Sequence, residues 1–407
     1  MFASYRRLFA APGALAFTLT GLFARLSFAM TGVSTVVLIA TRRDSYALAG
    51  AVSAAGVLAV AFALPLSGRL VDRYGQARVS FAGVLLAVWP MTGLLLCTHF
   101  GAPAWTLFLC CAASSVIPNL GGMARARWAH LYRDDPAARH AANSLEQALD
   151  ELCFMGGPVF AMLLCTSLFP EAGLLVGGVL GCGGLLLFAA QRRTEPPVQP
   201  PAAVPTRGAL RHGGLRVLVL VFAATGVVFG STEVSTIAYA DSLGQKPLAG
   251  GLLALVAAGS CVSGLAFGLV RSRIGGAGRL LLGVAAMTVL LLLPLAAGVS
   301  GAGLAVLGPA LFVAGSGTAP TMVAGMTMVQ ELLPARQLNE AMGVAVAGIL
   351  IGISTGAAVG GMLAERAAPG TGFLLPAGAA GLALLTALAG HRRLGARPVA
   401  ELSASAA

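Results

Sequence analysis

Four ionisable residues stand inside long apolar runs: Arg25, Asp150, Glu151 and Glu233. A charge near the centre of a bilayer costs about 2.5 to 3.5 kcal/mol on insertion scales, so such residues face a cavity or an opposite charge. Arg25 and the adjacent acids Asp150 and Glu151 fall at comparable depths in two runs that cross in the same direction. They can therefore meet as a buried ion pair, which is far cheaper than three separate buried charges. Glu146 carries less weight here, because Asn143 and Glu146 have the spacing of a capping box at the start of a helix. Glu233 stands among Ser231, Thr232, Ser235 and Thr236, with no basic residue beside it. Three chemistries remain open for it: binding and releasing a proton, holding a cationic ligand, or sitting solvated at a cavity mouth.

Other chemistry is poorly represented. His99, His130, His140, His212 and His391 fall in loops or tails without the clustering a metal site needs. The seven cysteines lie in apolar stretches with no metal-ligand spacing and read as small core residues. Gly181-Cys182-Gly183-Gly184 and Gly315-Ser316-Gly317 have neither the preceding soluble strand nor the following Lys of a phosphate loop. No nucleophile, base and oxyanion set can be placed, so neither an enzyme, a cofactor nor a metal is expected.

The elements that position these charges follow from composition. Of 407 residues, 57% are hydrophobic and only 10% charged, well short of what a water-facing surface needs. Twelve apolar runs are long enough to span a bilayer: near 11–40, 46–67, 79–98, 104–124, 144–169, 172–190, 215–240, 248–270, 280–298, 303–329, 339–363 and 372–390. The first is too long for a cleaved signal peptide. An all-α membrane protein with twelve transmembrane helices is expected, bathed in lipid. Of the 26 Lys and Arg, 21 fall in loops and tails on the side of both termini, four fall opposite, and Arg25 lies within a run. Cytoplasmic loops retain Lys and Arg, so both termini are placed in the cytoplasm. Arg125 and Arg127 count among these inner charges. The net charge of +11 needs no nucleic acid, since an Arg-rich inner face meets anionic lipid.

Pro196, Pro197, Pro200, Pro201 and Pro205 crowd one basic stretch, which reads as extended linker. The expected organisation is a six-helix bundle at 1–190, a linker at 191–214, a second bundle at 215–390 and a tail at 391–407. An internal repeat relates the bundles. Gly68, Arg73, Gly75 and Ala77 recur as Gly268, Arg273, Gly275 and Ala277. Val33-Ser34-Thr35 is echoed by Val234-Ser235-Thr236, Pro118 by Pro320 and Asn143 by Asn339.

Between the second and third runs stands Gly68-Arg69-Leu70-Val71-Asp72-Arg73-Tyr74-Gly75-Gln76-Ala77-Arg78. This segment resembles the signature loop of the major facilitator superfamily, which reads Gly, any, Leu, any, Asp, Arg, any, Gly, then two basic residues. Gln76 and Ala77 replace the basic pair and Arg78 comes one step late. The second copy has Ser272 in place of Asp72. The resemblance implies two pseudo-symmetric six-helix bundles around a central cavity lined by spans 1, 4, 7 and 10. It also implies that Asp72 faces the start of span 11 as a gating latch. Gly156-Gly157-Pro158 resembles part of a motif of the family's exporters, where Pro kinks span 5 and frees a carbonyl.

On this resemblance the chain is a secondary transporter in the plasma membrane, acting as a monomer on a small-molecule substrate with protons as coupling ion. Export is the expected direction. Nutrient uptake by the same fold and a non-transporting scaffold or sensor are the alternatives. Gly68, Asp72, Arg73, Gly75 and Arg78 are the expected gating residues; Arg25, Asn119, Asp150, Glu151 and Glu233 are the expected cavity residues.

Overall fold

In lipid every backbone polar group must be paired within its own segment, so apolar runs of this length become helices. The computed structural model describes residues 2–198, 208–245, 248–269, 274–366 and 370–394. It contains twelve spans: α1 Ala14–Arg43, α2 Leu48–Tyr74, α3 Gln76–His99, α4 Ala104–Leu131, α5 Pro136–Ser167 and α6 Ala172–Ala190 make one half. The other half is α7 Gly213–Ser242, α8 Ala249–Phe267, α9 Gly276–Val299, α10 Leu304–Leu332, α11 Ala335–Ala364 and α12 Thr371–Ala389. Each expected run overlaps one of them. Ser272 and Arg273, the linker centre 199–207 and the tail from 395 lie outside the described residues.

The two halves repeat one packing plan. α1 packs on α5 and α6, and α7 packs on α11 and α12. The repeated Val-Ser-Thr triplets take equivalent places, with Ser34 seated against Gly173 of α6 and Ser235 against Gly372 of α12. α4 and α10 both break midway. In α4 the helix stops at Ala113, turns through Ser114–Val116 and restarts at Leu120. Pro118 removes a donor there, and the Asn119 carboxamide oxygen accepts from Gly122 N to cap the new segment. In α10 the break falls at Ser316 and Gly317, and Pro320 is tolerated in the first turn beyond it.

Small residues set the closest approach, as membrane packing demands. Gly226 and Gly230 of α7 meet Gly352 and its neighbours on α11 backbone to backbone. A Cβ at Gly352 would fall 2.9 Å from the Gly226 Cα, so Gly352→Val must force the helices apart. Overpacking of this kind costs about 1–3 kcal/mol. We expect a lower thermal midpoint and a smaller monodisperse peak in detergent. Gly178→Val, where a side chain meets nothing within 4 Å, should leave both unchanged.

Hydrogen bonds between the halves gather at the end that carries the linker. Asn143 donates to Thr327 at 2.9 Å and to Gln330 at 2.8 Å, and Gln330 donates to the Arg125 carbonyl at 3.1 Å. Tyr5, on a short helix Phe2–Leu8 before α1, donates to the Leu265 carbonyl at 2.6 Å. Gly68 of α2 lies on the backbone of Asn339 and Glu340, and Gly343 of α11 lies on Leu64. At the opposite end, Tyr239 and Arg43 bond only within their own halves, to Ala302 and to Cys97 and Ala102 respectively. The halves are therefore sealed at the linker end.

The start of the linker departs from the extended reading. Arg127, expected at an inner loop, is fully buried. It donates to Gln76, Thr194 and the carbonyls of Phe188 and Gln191 while stacking on Phe188 at 3.8 Å. Glu195 then accepts from Ala77 N at 3.0 Å. A guanidinium has five donors in a planar fork, which is why one side chain can pin this turn to the signature loop.

Candidate functional site

The Asp72 carboxylate lies across the seal, on the first turn of α11. Its oxygens accept from Asn339 N at 3.0 Å, the Asn339 side-chain amide at 2.7 Å and Glu340 N at 2.9 Å. Amides at a helix start have no partner of their own and a partial positive charge, so a carboxylate satisfies both needs. Glu340 in turn accepts from Arg69 at 2.7 Å and from Ala209 N at 3.1 Å. Gly75, at φ 87°, joins α2 to α3. Arg73 and Arg78 are exposed, Arg73 lying over the Tyr74 ring. On the pseudo-symmetric side Gly268 packs on Ser144 and Tyr5. There His140 bonds the Phe267 carbonyl at 3.0 Å; it is a buried residue of α5, not of a loop.

The expected pairing of Arg25 with the span 5 acids holds for Asp150, and Glu146 joins it in place of Glu151. Arg25 pairs with Glu146 and, at 3.3 Å, with Asp150. It does not pair with Glu151. Glu146 caps nothing: the helix begins ten residues earlier at Pro136, where Asp135 accepts from Ala138 N. Glu146 is instead fully buried and accepts from the Trp128 indole at 2.6 Å. Arg125, also read as an inner-loop charge, is 3% exposed and donates to Asp150 at 2.8 Å. Two guanidiniums and two carboxylates cancel, which makes their burial tolerable. Periodicity explains the sorting. Glu146 and Asp150 are four residues apart on the α5 face that meets α1 and α4, while Gln147 and Glu151 form the adjacent stripe towards α8.

Glu151 has no cation. It accepts from Gln147 at 3.0 Å and, across the two halves, from Ser260 of α8 at 2.8 Å. Thr318, at the restart of α10, donates to Ser260 at 3.0 Å. Among the described residues no His, Cys, Asp and Glu group of three or more could hold a metal.

Glu233 is exposed although protein surrounds most of it, and no charged group acts on it. Eleven residues before it, and so on the same helical face, Phe222 meets Gly325 of α10. Glu233 therefore lies on the side of α7 that faces α10. The repeat that aligns the Val-Ser-Thr triplets makes Gly32 its counterpart on α1. Gly32 is exposed, with nothing within 4 Å of where a Cβ would sit. Gly157 is where α5 comes closest to Ala29 of α1, Gly156 borders open space, and Pro158 lies within a continuous helix.

Two six-helix halves, bonded to each other at the linker end and with polar groups held between them, have the build of a membrane transporter. The Major Facilitator Superfamily model matches residues 17–319, and the chain belongs to that family. It is 26% identical to the uncharacterized MFS-type transporter y4rN of Sinorhizobium fredii, over 88% of this chain and 90% of that protein. Among solved structures, a bacterial homologue of the iron transporter ferroportin in its outward-facing state superposes with a TM-score of 0.70 at 15% identity. That alignment covers 94% of this chain and 98% of the other. The fucose:proton symporter of E. coli gives a TM-score of 0.67 at 14% identity, covering 92% and 98%.

Proposed function

We propose that this chain is a proton-coupled secondary transporter that exports a small organic solute across the plasma membrane, with its linker and both termini in the cytoplasm. The observation that carries the coupling is Glu151, a cation-free carboxylate whose bond to Ser260 crosses from one half to the other. While ionised it holds Ser260 and keeps the linker end sealed. A proton arriving from the open end removes the charge that strengthens that bond, which loosens the seal. The proton then leaves on the cytoplasmic side, where the solute loads for the return. One proton moving through about 100 mV yields roughly 2.3 kcal/mol, enough for a solute gradient of about fifty-fold. The Arg excess at the linker end supports the orientation, and the Gly156-Gly157-Pro158 segment supports export. The site lies between two halves of one chain, so a monomer suffices.

Deleting the gene should raise the level of the exported solute inside the cell; a fall would mean uptake. In vesicles reconstituted with the protein, Glu151→Gln should keep solute exchange and lose accumulation driven by a proton gradient. Unchanged accumulation across pH 6 to 8 would remove Glu151 from coupling. Absence of any solute-dependent flux in the parent protein would favour a scaffold.

A further inference from the structure

We propose that the face of α7 carrying Phe229 and Glu233, with the bare Gly32 as the counterpart on α1, binds the cationic end of an organic solute. This assignment of substrate class rests on the transport reading above.

A count of charge decides the sign. Arg25 and Arg125 are matched by Glu146 and Asp150, so they leave no positive charge for an anion. Glu233 is unmatched, and Glu151, whose bond to Ser260 joins the two halves, is held by neutral donors only. An anion between the halves would find carboxylates without a cation and no spare guanidinium. A cation would meet a partner at once, in surroundings where the low dielectric strengthens the attraction.

An aromatic ring and open space agree with that sign. Phe229 lies one turn from Glu233 on the same face and offers an aromatic surface that attracts a cation. The room for it lies on the α1 side. The two halves repeat, yet where α7 carries Glu233, α1 carries Gly32 with open space around it.

Equilibrium dialysis against the purified protein in lipid nanodiscs tests the proposal with two single-ring probes, benzyltrimethylammonium and benzenesulfonate. The parent protein should bind the cation saturably and the sulfonate not at all. Glu233→Gln should weaken binding of the cation at least tenfold, and Glu233→Asp should restore most of it. Gly32→Lys, which tethers an ammonium in the same space, should abolish the binding and serves as the test if the Gln variant does not fold. Equal binding by the parent and either Glu233→Gln or Gly32→Lys, preference for the sulfonate, or no binding of either probe overturns the proposal. No gradient is present in this measurement, so its outcome is independent of whether Glu151 couples transport to protons.

Discussion

Arg25→Ala is expected to be among the most damaging single changes in the protein. It leaves Glu146, which is fully buried, as a carboxylate with no cation, bonded only to the Trp128 indole. Breaking a buried pair by removing one partner costs about 3–5 kcal/mol, because the survivor stays desolvated and uncompensated. The double change Arg25→Met with Glu146→Gln removes both charges and keeps an acceptor for Trp128. It should therefore recover much of the folded yield and thermal midpoint lost in the single variant. If the single and double variants fall equally, the pair does not stabilise the fold in the way the geometry implies.

The second large effect should be on the balance of access states. Gly68→Val places side-chain atoms where the backbone of Asn339 and Glu340 now lies, so α2 and α11 can no longer close. Asp72→Asn keeps the shape and removes the charge that three donors share. Hydrogen bonds to a charged group are worth about 1.5–3 kcal/mol, so the ratio of closed to open linker ends should fall about tenfold or more. Spin labels at the exposed residues Arg133 and Arg392, one on each half, would report it as a new population at longer distance. Distance distributions identical to those of the parent in both variants would mean that the seal is held elsewhere.

Hydropathy alone located all twelve spans, because lipid imposes a minimum length and leaves the helix as the solution for each apolar run. The signature loop was legible for a similar reason. Gly68, Asp72 and Gly75 do local jobs, a close approach, a helix start and a turn, and local jobs leave fixed spacings. The repeat was legible too, and it placed Ser34 and Ser235 on equivalent glycines.

The pairing of charges was not. Arg25, Glu146, Asp150 and Arg125 come from three spans, and the sequence gives their depth only to within several residues. One turn of uncertainty at the start of α5 turned Glu146 into a cap and left Asp150 and Glu151 as the expected partners of Arg25, of which Asp150 is one and Glu151 is not. The spacing of Glu146 and Asp150, with Gln147 and Glu151 beside them, held the signal that α5 has two polar stripes. Arg125 and Arg127 were counted as inner charges because the end of an apolar run does not reveal how far its helix continues inside protein.

By itself the sequence determined what each span must be, since backbone pairing in lipid depends on composition and length. Only the tertiary structure decided which charges cancel and which remain. Burial and partnership depend on the rotation and depth of each helix against its neighbours, and packing sets these to within a fraction of a turn. That fraction separates Asp150, held by two guanidiniums, from Glu151, one residue along and held by hydroxyl and amide groups from two halves of the protein.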